Sequence, residues 1–458
     1  MQVKFVRMCL SRSWDTGVAD TIGRAIPAKI GRRALWVAVM LCAFPGVGVL
    51  AQDTPGIPVL TLTEARALAR RVHPAIRAAR QAVEATAGLE RQSGAFPNPT
   101  VSFAREQTSW NGGTNWQNIA MFSQPIEIGG QRGARQDAAR HRRTAADARR
   151  AAVEAQIDFE VGRAYALAVA ADYRVARTAE AADVFGRARE IGAARLAEGD
   201  ISGYEYRRIA LEAGRYAVLE AEVMLARDAA RLSLATLLAP SSDSISIFAA
   251  EMRLLESIAT VPIDESFDSL IALAFQRRPD LRAVGLEVEA SVADARLASR
   301  QAVPTPTVAL GFKNERATTD LGVSKGFVLQ VALPLPLWDR RRGATDAARA
   351  ETQKVEAERE DLRRNVAREV EHAWRMLAAV TEQLNALRPL LGAEAQLALQ
   401  AAGTAYTEGE ISLVEWLDAV RAYHEAQSTF ATLQADHVIR FMTLERAVGS
   451  VPSRGIEQ

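Results

Sequence analysis

The pattern of hydrophobic and polar positions runs from helical spacing to alternation and back to helical spacing, and then repeats. Apolar and alanine positions recur at helical intervals over 61–94, with Thr61 or Thr63 at the N-cap position and Pro97 and Pro99 closing the segment. Two strands are predicted at about 99–108 and 117–127, joined by SWNGGTNW (109–116) with its Asn111-Gly112-Gly113 turn signal. A helix is then predicted over 131–197, an AEGDIS turn follows, and helix resumes over 202–238. The second half gives helix over about 264–300, strands near 306–316 and 324–335, a helix over 340–407, a TEGEIS turn and helix over 412–448. Matching landmarks keep a nearly constant separation, 205 residues from Pro74 to Pro279 and 210 from Gly199 to Gly409, which marks a duplicated module.

The helix lengths exclude an ordinary globular domain. Positions 131–197 make a rod of roughly 100 Å at 1.5 Å per residue. In the second rod Val370, Ala373, Leu377, Val380, Leu384, Leu387 and Leu391 alternate steps of three and four, the spacing of a coiled-coil seam. Pro389 should kink that rod, whereas the first copy has Ala179 at the matching place. In the third and fourth strands Val308, Leu310 and Phe312, and Phe327, Leu329, Val331 and Leu333, alternate with smaller or polar residues. The first two strands alternate less cleanly. Each is about 10 residues, enough to cross a bilayer when tilted in a closed barrel. Trp110 and Trp116 suit an aromatic girdle, or equally a pair of loop aromatics packed on each other. Four strands cannot close a barrel, and lipid tolerates no open sheet edge, so hairpins lying in a membrane require several chains to pool them.

Composition narrows the compartment and the chemistry. Lys29, Arg32 and Arg33 precede an apolar run over 34–50 and a small-residue site at Val49-Leu50-Ala51, so residues 1–51 read as a signal peptide with an N-terminal extension. A short membrane anchor is the alternative. The two cysteines, Cys9 and Cys42, precede the expected cut, which leaves a mature chain without disulfide or thiolate chemistry. A net charge of +1 gives no reason to expect a nucleic-acid partner. His73, His141, His372, His424 and His437 form no ligand-spaced pair, and no HExxH, P-loop, GxSxG or dinucleotide fingerprint occurs. The expectation is a protein that is not an enzyme, with no cofactor and no tight metal site.

Two hairpins and four rod-like helices behind a signal peptide, with SQPIEIGGQR (123–132) and LPLPLWDRRRG (333–343) at the strand-to-helix transitions, resemble the TolC-type outer membrane efflux proteins over essentially all of 60–450. Within them, these motifs look like the cobalt–zinc–cadmium resistance branch. The resemblance implies a mainly α fold with a small β part: a homotrimer whose twelve strands form a barrel in outer-membrane lipid, continued by a periplasmic α-helical barrel. The partners it implies are a periplasmic adaptor and an inner-membrane RND pump. Residues 52–260 and 261–450 would be the two repeats, with 451–458 a tail. Pro125, Pro334 and Pro336 fall where strands swing into helices, and Gly129-Gly130 and Asp339 suit the turn and the helix start.

The resemblance also assigns roles at the two hairpin tips. Glu415 and Asp418 match carboxylates that ring a periplasmic entrance, Glu205 and Arg208 hold the equivalent places in the first copy, and Tyr406 matches a closed-state contact. Gly199, Asp200, Gly409 and Glu410 would form the adaptor-docking turns. Without it, the same charges read as solvated helix ends near a turn. The implied function is efflux of divalent heavy-metal cations, with drug efflux or type I secretion as alternatives and a pore-less periplasmic scaffold as an alternative of another class.

Overall fold

The computed structural model describes residues 59–238, 251–252, 266–317, 322–391 and 393–449. The expected signal peptide and C-terminal tail lie outside them. In order, the elements are β1 (Val59–Leu60), α1 (Leu62–Val72), α2 (Pro74–Ser93), β2 (Thr100–Trp110), β3 (Gly113–Pro125), α3 (Gln131–Glu198), α4 (Gly203–Leu238) and β4 (Glu251–Met252). The second copy supplies α5 (Phe267–Arg277), α6 (Pro279–Arg300), β5 (Thr307–Ala317), β6 (Val323–Ala332), α7 (Arg342–Leu387), α8 (Ala393–Glu408) and α9 (Leu413–Val448).

The duplication is visible in how the helices begin and end. Thr61 caps α1 through a reciprocal box with Glu64, the Thr61 N–H reaching the carboxylate at 2.9 Å and the Glu64 N–H reaching the hydroxyl at 3.2 Å. The single helices expected over 61–94 and 264–300 are each two, divided at His73-Pro74 and Arg278-Pro279. A proline cannot continue a helix but fits its first turn, so each starts a new one. Pro389 breaks the second rod into α7, a 3₁₀ turn over Arg388–Leu391, and α8, whereas α3 runs unbroken for 68 residues. Because α3 touches α2, α4, α6 and α9, its buried positions lie on several faces and are largely alanine. The expected seam of α7 is buried from Val370 to Leu384, against Phe441 and Leu444 of α9 near its start, while Leu387 is half-buried.

The sheet has the order β2-β3-β5-β6, antiparallel throughout. The expected loop over 109–116 is mostly strand: only Asn111 and Gly112 lie between Trp110 and Gly113. β3 pairs with β5 from Asn115↔Ala317 to Pro125↔Thr307, which joins the two repeats. Gly311 is required there, since a Cβ would lie 2.7 Å from the Ala120 carbonyl and 2.8 Å from the Met121 side chain. β6 ends at Ala332, so Leu333 and Leu335 belong to the exposed transition into α7 and not to the strand. Asp339 does not cap α7. Its carboxylate accepts the Arg341 N–H at 2.8 Å, and Arg341 itself is the cap residue, in the left-handed region (φ 53°) that Gly130 occupies in the first copy (φ 72°).

Candidate functional site

Register sorts the strand residues into two faces. One face collects Val101 and Phe103, Ala120 and Phe122, Leu310 and Phe312, and Phe327 and Leu329, paired in rows across all four strands. Phe327 is 85% exposed and Val101 77%, so this apolar surface has no cover among the described residues. The opposite face carries Ser102, Gln117, Gly311, Ser324 and Gln330, together with Glu106, Lys313 and Glu315. On it Lys313 pairs with Glu315 at 3.2 Å, and the Asn115 amide donates to Glu315 at 2.6 Å. Among the described residues the outer strands β2 and β6 each have one unpaired edge.

At the far end of the rods both tips use the same two devices in succession. Gly199 (φ 85°) and Gly409 (φ 80°) take the left-handed conformation that ends a helix. The N–H groups of Gly199 and Asp200 reach the carbonyls of Leu196 and Arg195, and those of Gly409 and Glu410 reach Tyr406 and Ala405. Immediately afterwards Ser202 and Ser412 start α4 and α9 in capping boxes. The Ser202 N–H donates to Glu205 and the Ser412 N–H to Glu415, each at 2.8 Å, and each serine hydroxyl accepts the glutamate N–H at 3.2 Å. Glu205 and Glu415 therefore hold their own helix N-termini. The backbone N–H of each serine keeps its carboxylate below the ordinary range, so both stay ionised. The S-x-x-E spacing that signals this box is present in both tips, and it identifies Ser202 and Ser412 as further site residues.

Arg208 and Asp418 occupy equivalent places in the two repeats, and they meet. The Arg208 guanidinium lies 3.8 Å from the Asp418 carboxylate, which Arg421 also binds at 3.0 Å; Arg421 reaches Glu212 at 3.7 Å. With Arg208 and Asp418 each about half exposed, the contact is worth at most about 1 kcal/mol. Tyr406 stacks on Trp416 (5.2 Å, 7°) beneath the Arg195 guanidinium, and its buried hydroxyl has no hydrogen-bond partner among the described residues. Below the tips Phe185 stacks on Tyr216, which meets His424 edge-on; Thr178 contacts the His424 ring nitrogen at 3.3 Å, and burial lowers that histidine's pKa. Among the described residues no group of His, Cys, Asp or Glu is arranged to hold a metal ion, and no helix is long and apolar enough to cross a membrane.

A four-stranded sheet with an exposed apolar face, set on paired helical rods that end in matched capped turns, is the architecture to compare with known proteins. The sequence profile described as outer membrane efflux protein matches residues 270–450. The cobalt-zinc-cadmium resistance protein CzcC of Cupriavidus metallidurans is 26% identical over 85% of this chain and 90% of that protein. The nickel and cobalt resistance protein CnrC of the same organism is 29% identical over 70% of this chain and 73% of its own. The solved structure of the transmembrane channel protein CusC superposes with a TM-score of 0.68 at 17% identity, over 85% of this chain and 92% of that one. Over residues 270–450 the chain matches the outer membrane efflux profile, and over most of its length it is similar in sequence to the heavy-metal resistance proteins CzcC and CnrC.

Proposed function

We propose that the chain is the outer membrane channel of a tripartite efflux system exporting divalent heavy-metal cations. Three copies close a 12-stranded barrel, and their rods continue it as a periplasmic tunnel. The observation that carries this reading is the sheet: its apolar face asks for lipid, and its two unpaired edges ask for neighbouring copies. The opposite face, with Glu106 and Glu315 against the single Lys313, then lines a lumen that favours cations. The names of CzcC and CnrC support a metal cargo. An adaptor would dock at the turns around Gly199, Asp200, Gly409 and Glu410 and couple the channel to an inner-membrane RND pump. Deleting the gene should lower tolerance to cobalt, zinc or cadmium, and the plasmid-borne chain should restore it; unchanged metal tolerance with lost drug tolerance would overturn the cargo.

In this reading Glu415 and Asp418 from three copies ring the periplasmic entrance. The Arg208–Asp418 pairs hold the tips together, and a neighbouring chain supplies the acceptor for the Tyr406 hydroxyl. Because glutamine also serves at the third position of a capping box, Glu415→Gln removes charge while keeping the helix start. Combined with Asp418→Asn it should raise the resting conductance in planar bilayers and lower cation-over-anion selectivity. Ser412→Ala, which removes the cap at a cost of about 1 kcal/mol, is the control for mere fraying. Wild-type conductance and selectivity in the charge-neutral double variant would sink the gate.

A further inference from the structure

Both carboxylates among the described residues of β2, β3, β5 and β6 lie on one face of the sheet. The described strand residues include six charged side chains in β2, β3, β5 and β6. Register puts Glu106, Lys313 and Glu315 on the polar face, and Arg105, Arg316 and Lys325 on the apolar face, which carries no carboxylate among the described strand residues. The cations are not scattered. Arg105, Asn118, Asn314 and Lys325 are register partners in one row across all four strands, directly beyond the apolar row of Phe103, Ala120, Phe312 and Phe327 on the side of the hairpin turns. Arg105 and Lys325 are exposed and have no carboxylate partner among the described residues. Arg105 instead lies over the Trp116 ring at 5.6 Å.

A cation facing hydrocarbon is tolerated only near the membrane surface, where its cost falls from a few kcal/mol to about zero. We infer that this row is a binding surface for a glycolipid headgroup bearing two phosphates, of the lipid A type. The inference rests on the barrel reading above, which makes the apolar face the lipid face and puts the hairpin turns at the leaflet away from the rods. Spacing selects the headgroup. Within one chain three inter-strand steps separate Arg105 from Lys325, roughly 14 Å at the usual strand spacing, too far for one phosphodiester to bridge. Two phosphates on one sugar backbone can meet both cations, with the Asn118 and Asn314 amides between them for the sugar hydroxyls. Acyl chains from that headgroup then run down the rows of Phe103, Phe312 and Phe327.

The test uses the full chain, extracted, delipidated and titrated in detergent with lipid A, monophosphoryl lipid A and phosphatidylglycerol, with bound lipid counted by native mass spectrometry. The wild type should bind lipid A in preference to the other two. Arg105→Gln with Lys325→Gln removes two charge-assisted contacts of about tenfold each, for an expected loss of about a hundredfold. Glu106→Gln with Lys313→Gln, on the opposite face, should leave binding unchanged. Equal binding of the three lipids, or an R105Q/K325Q variant that binds lipid A like wild type, would overturn the site. Conductance separates this from the parent reading: R105Q/K325Q should still form wild-type pores, whereas a chain that forms none contradicts the channel itself.

Discussion

Lysine in place of Leu329 should abolish assembly into the outer membrane, while lysine in place of its neighbour Gln330 should be tolerated. The two positions are adjacent in β6 but face opposite ways. Leu329 shares a row with Leu310, Phe122 and Val101 on the apolar face and is 71% exposed. Gln330 is the register partner of Ala309 on the polar face. Leu329 lies between the Arg105–Lys325 row on one side and the exposed Leu333, Leu335, Leu337 and Trp338 on the other, near the middle of the apolar band. A lysine facing lipid at the midplane costs about 2–4 kcal/mol per chain, and in a barrel pooled from three chains the cost is incurred three times. The measurement is membrane fractionation with SDS-resistant oligomer on gels. Normal insertion of the Leu329→Lys chain would show that this face meets something other than hydrocarbon.

The contrast between the two hairpins explains what could be read from the sequence. In β5 and β6 the alternation of Val308, Leu310 and Phe312 with Ala309 and Gly311 announces a one-sided strand, and the structure places them so. In β3 the apolar Ile119 and Met121 fall on the polar face while the small Ala120 holds a place on the apolar one, so hydrophobicity alone fades there although the register is as regular. Asn111-Gly112-Gly113 marked a turn, but the tightness of that turn was hidden, because Ser109 and Thr114, which read as loop residues, are partners in the ladder. The rods and their capped ends were legible because helix spacing, proline position and terminal glycine are local properties. The helix division at Pro279 was equally local and was missed by treating 264–300 as one period. Which tip charges meet was not legible. Arg208 and Asp418 are 210 positions apart, and only the packing of one repeat on the other brings them within 3.8 Å. Glu415 shows the reverse case: its place in the Ser412 capping box is written in four consecutive residues.

Arg278→Met should destabilise the chain by roughly 3 kcal/mol, whereas His73→Ala, at the equivalent joint of the first repeat, should cost under about 1 kcal/mol. Both residues precede the proline that opens a helix, but their surroundings have diverged. His73 only accepts the Ala75 N–H at 3.3 Å on an exposed surface. Arg278 is 5% exposed, grips Asp280 with two nitrogens (2.6 and 3.0 Å), reaches Glu369 of α7 at 2.6 Å, and donates to the Ala447 carbonyl of α9 at 3.2 Å. Methionine keeps much of the packed stem but strands two carboxylates and a carbonyl. Asp280 and Glu369 retain partial access to water, which holds the loss to the low end of the range for a broken buried pair. The substitution also changes the acid limb. Burial pushes the Asp280 pKa up, but the hydrogen bonds and charge of Arg278 outweigh it and hold the carboxyl below its ordinary value. A depressed folded-state pKa contributes stability that is present above about pH 4 and is lost as pH falls through the folded value. Urea midpoints followed by circular dichroism in detergent should therefore drop at pH 7 in R278M, and fall less than wild type between pH 5 and 3 by roughly the same carboxylate contribution. Equal midpoints for the Arg278 and His73 variants would mean that the joint is held by the proline alone.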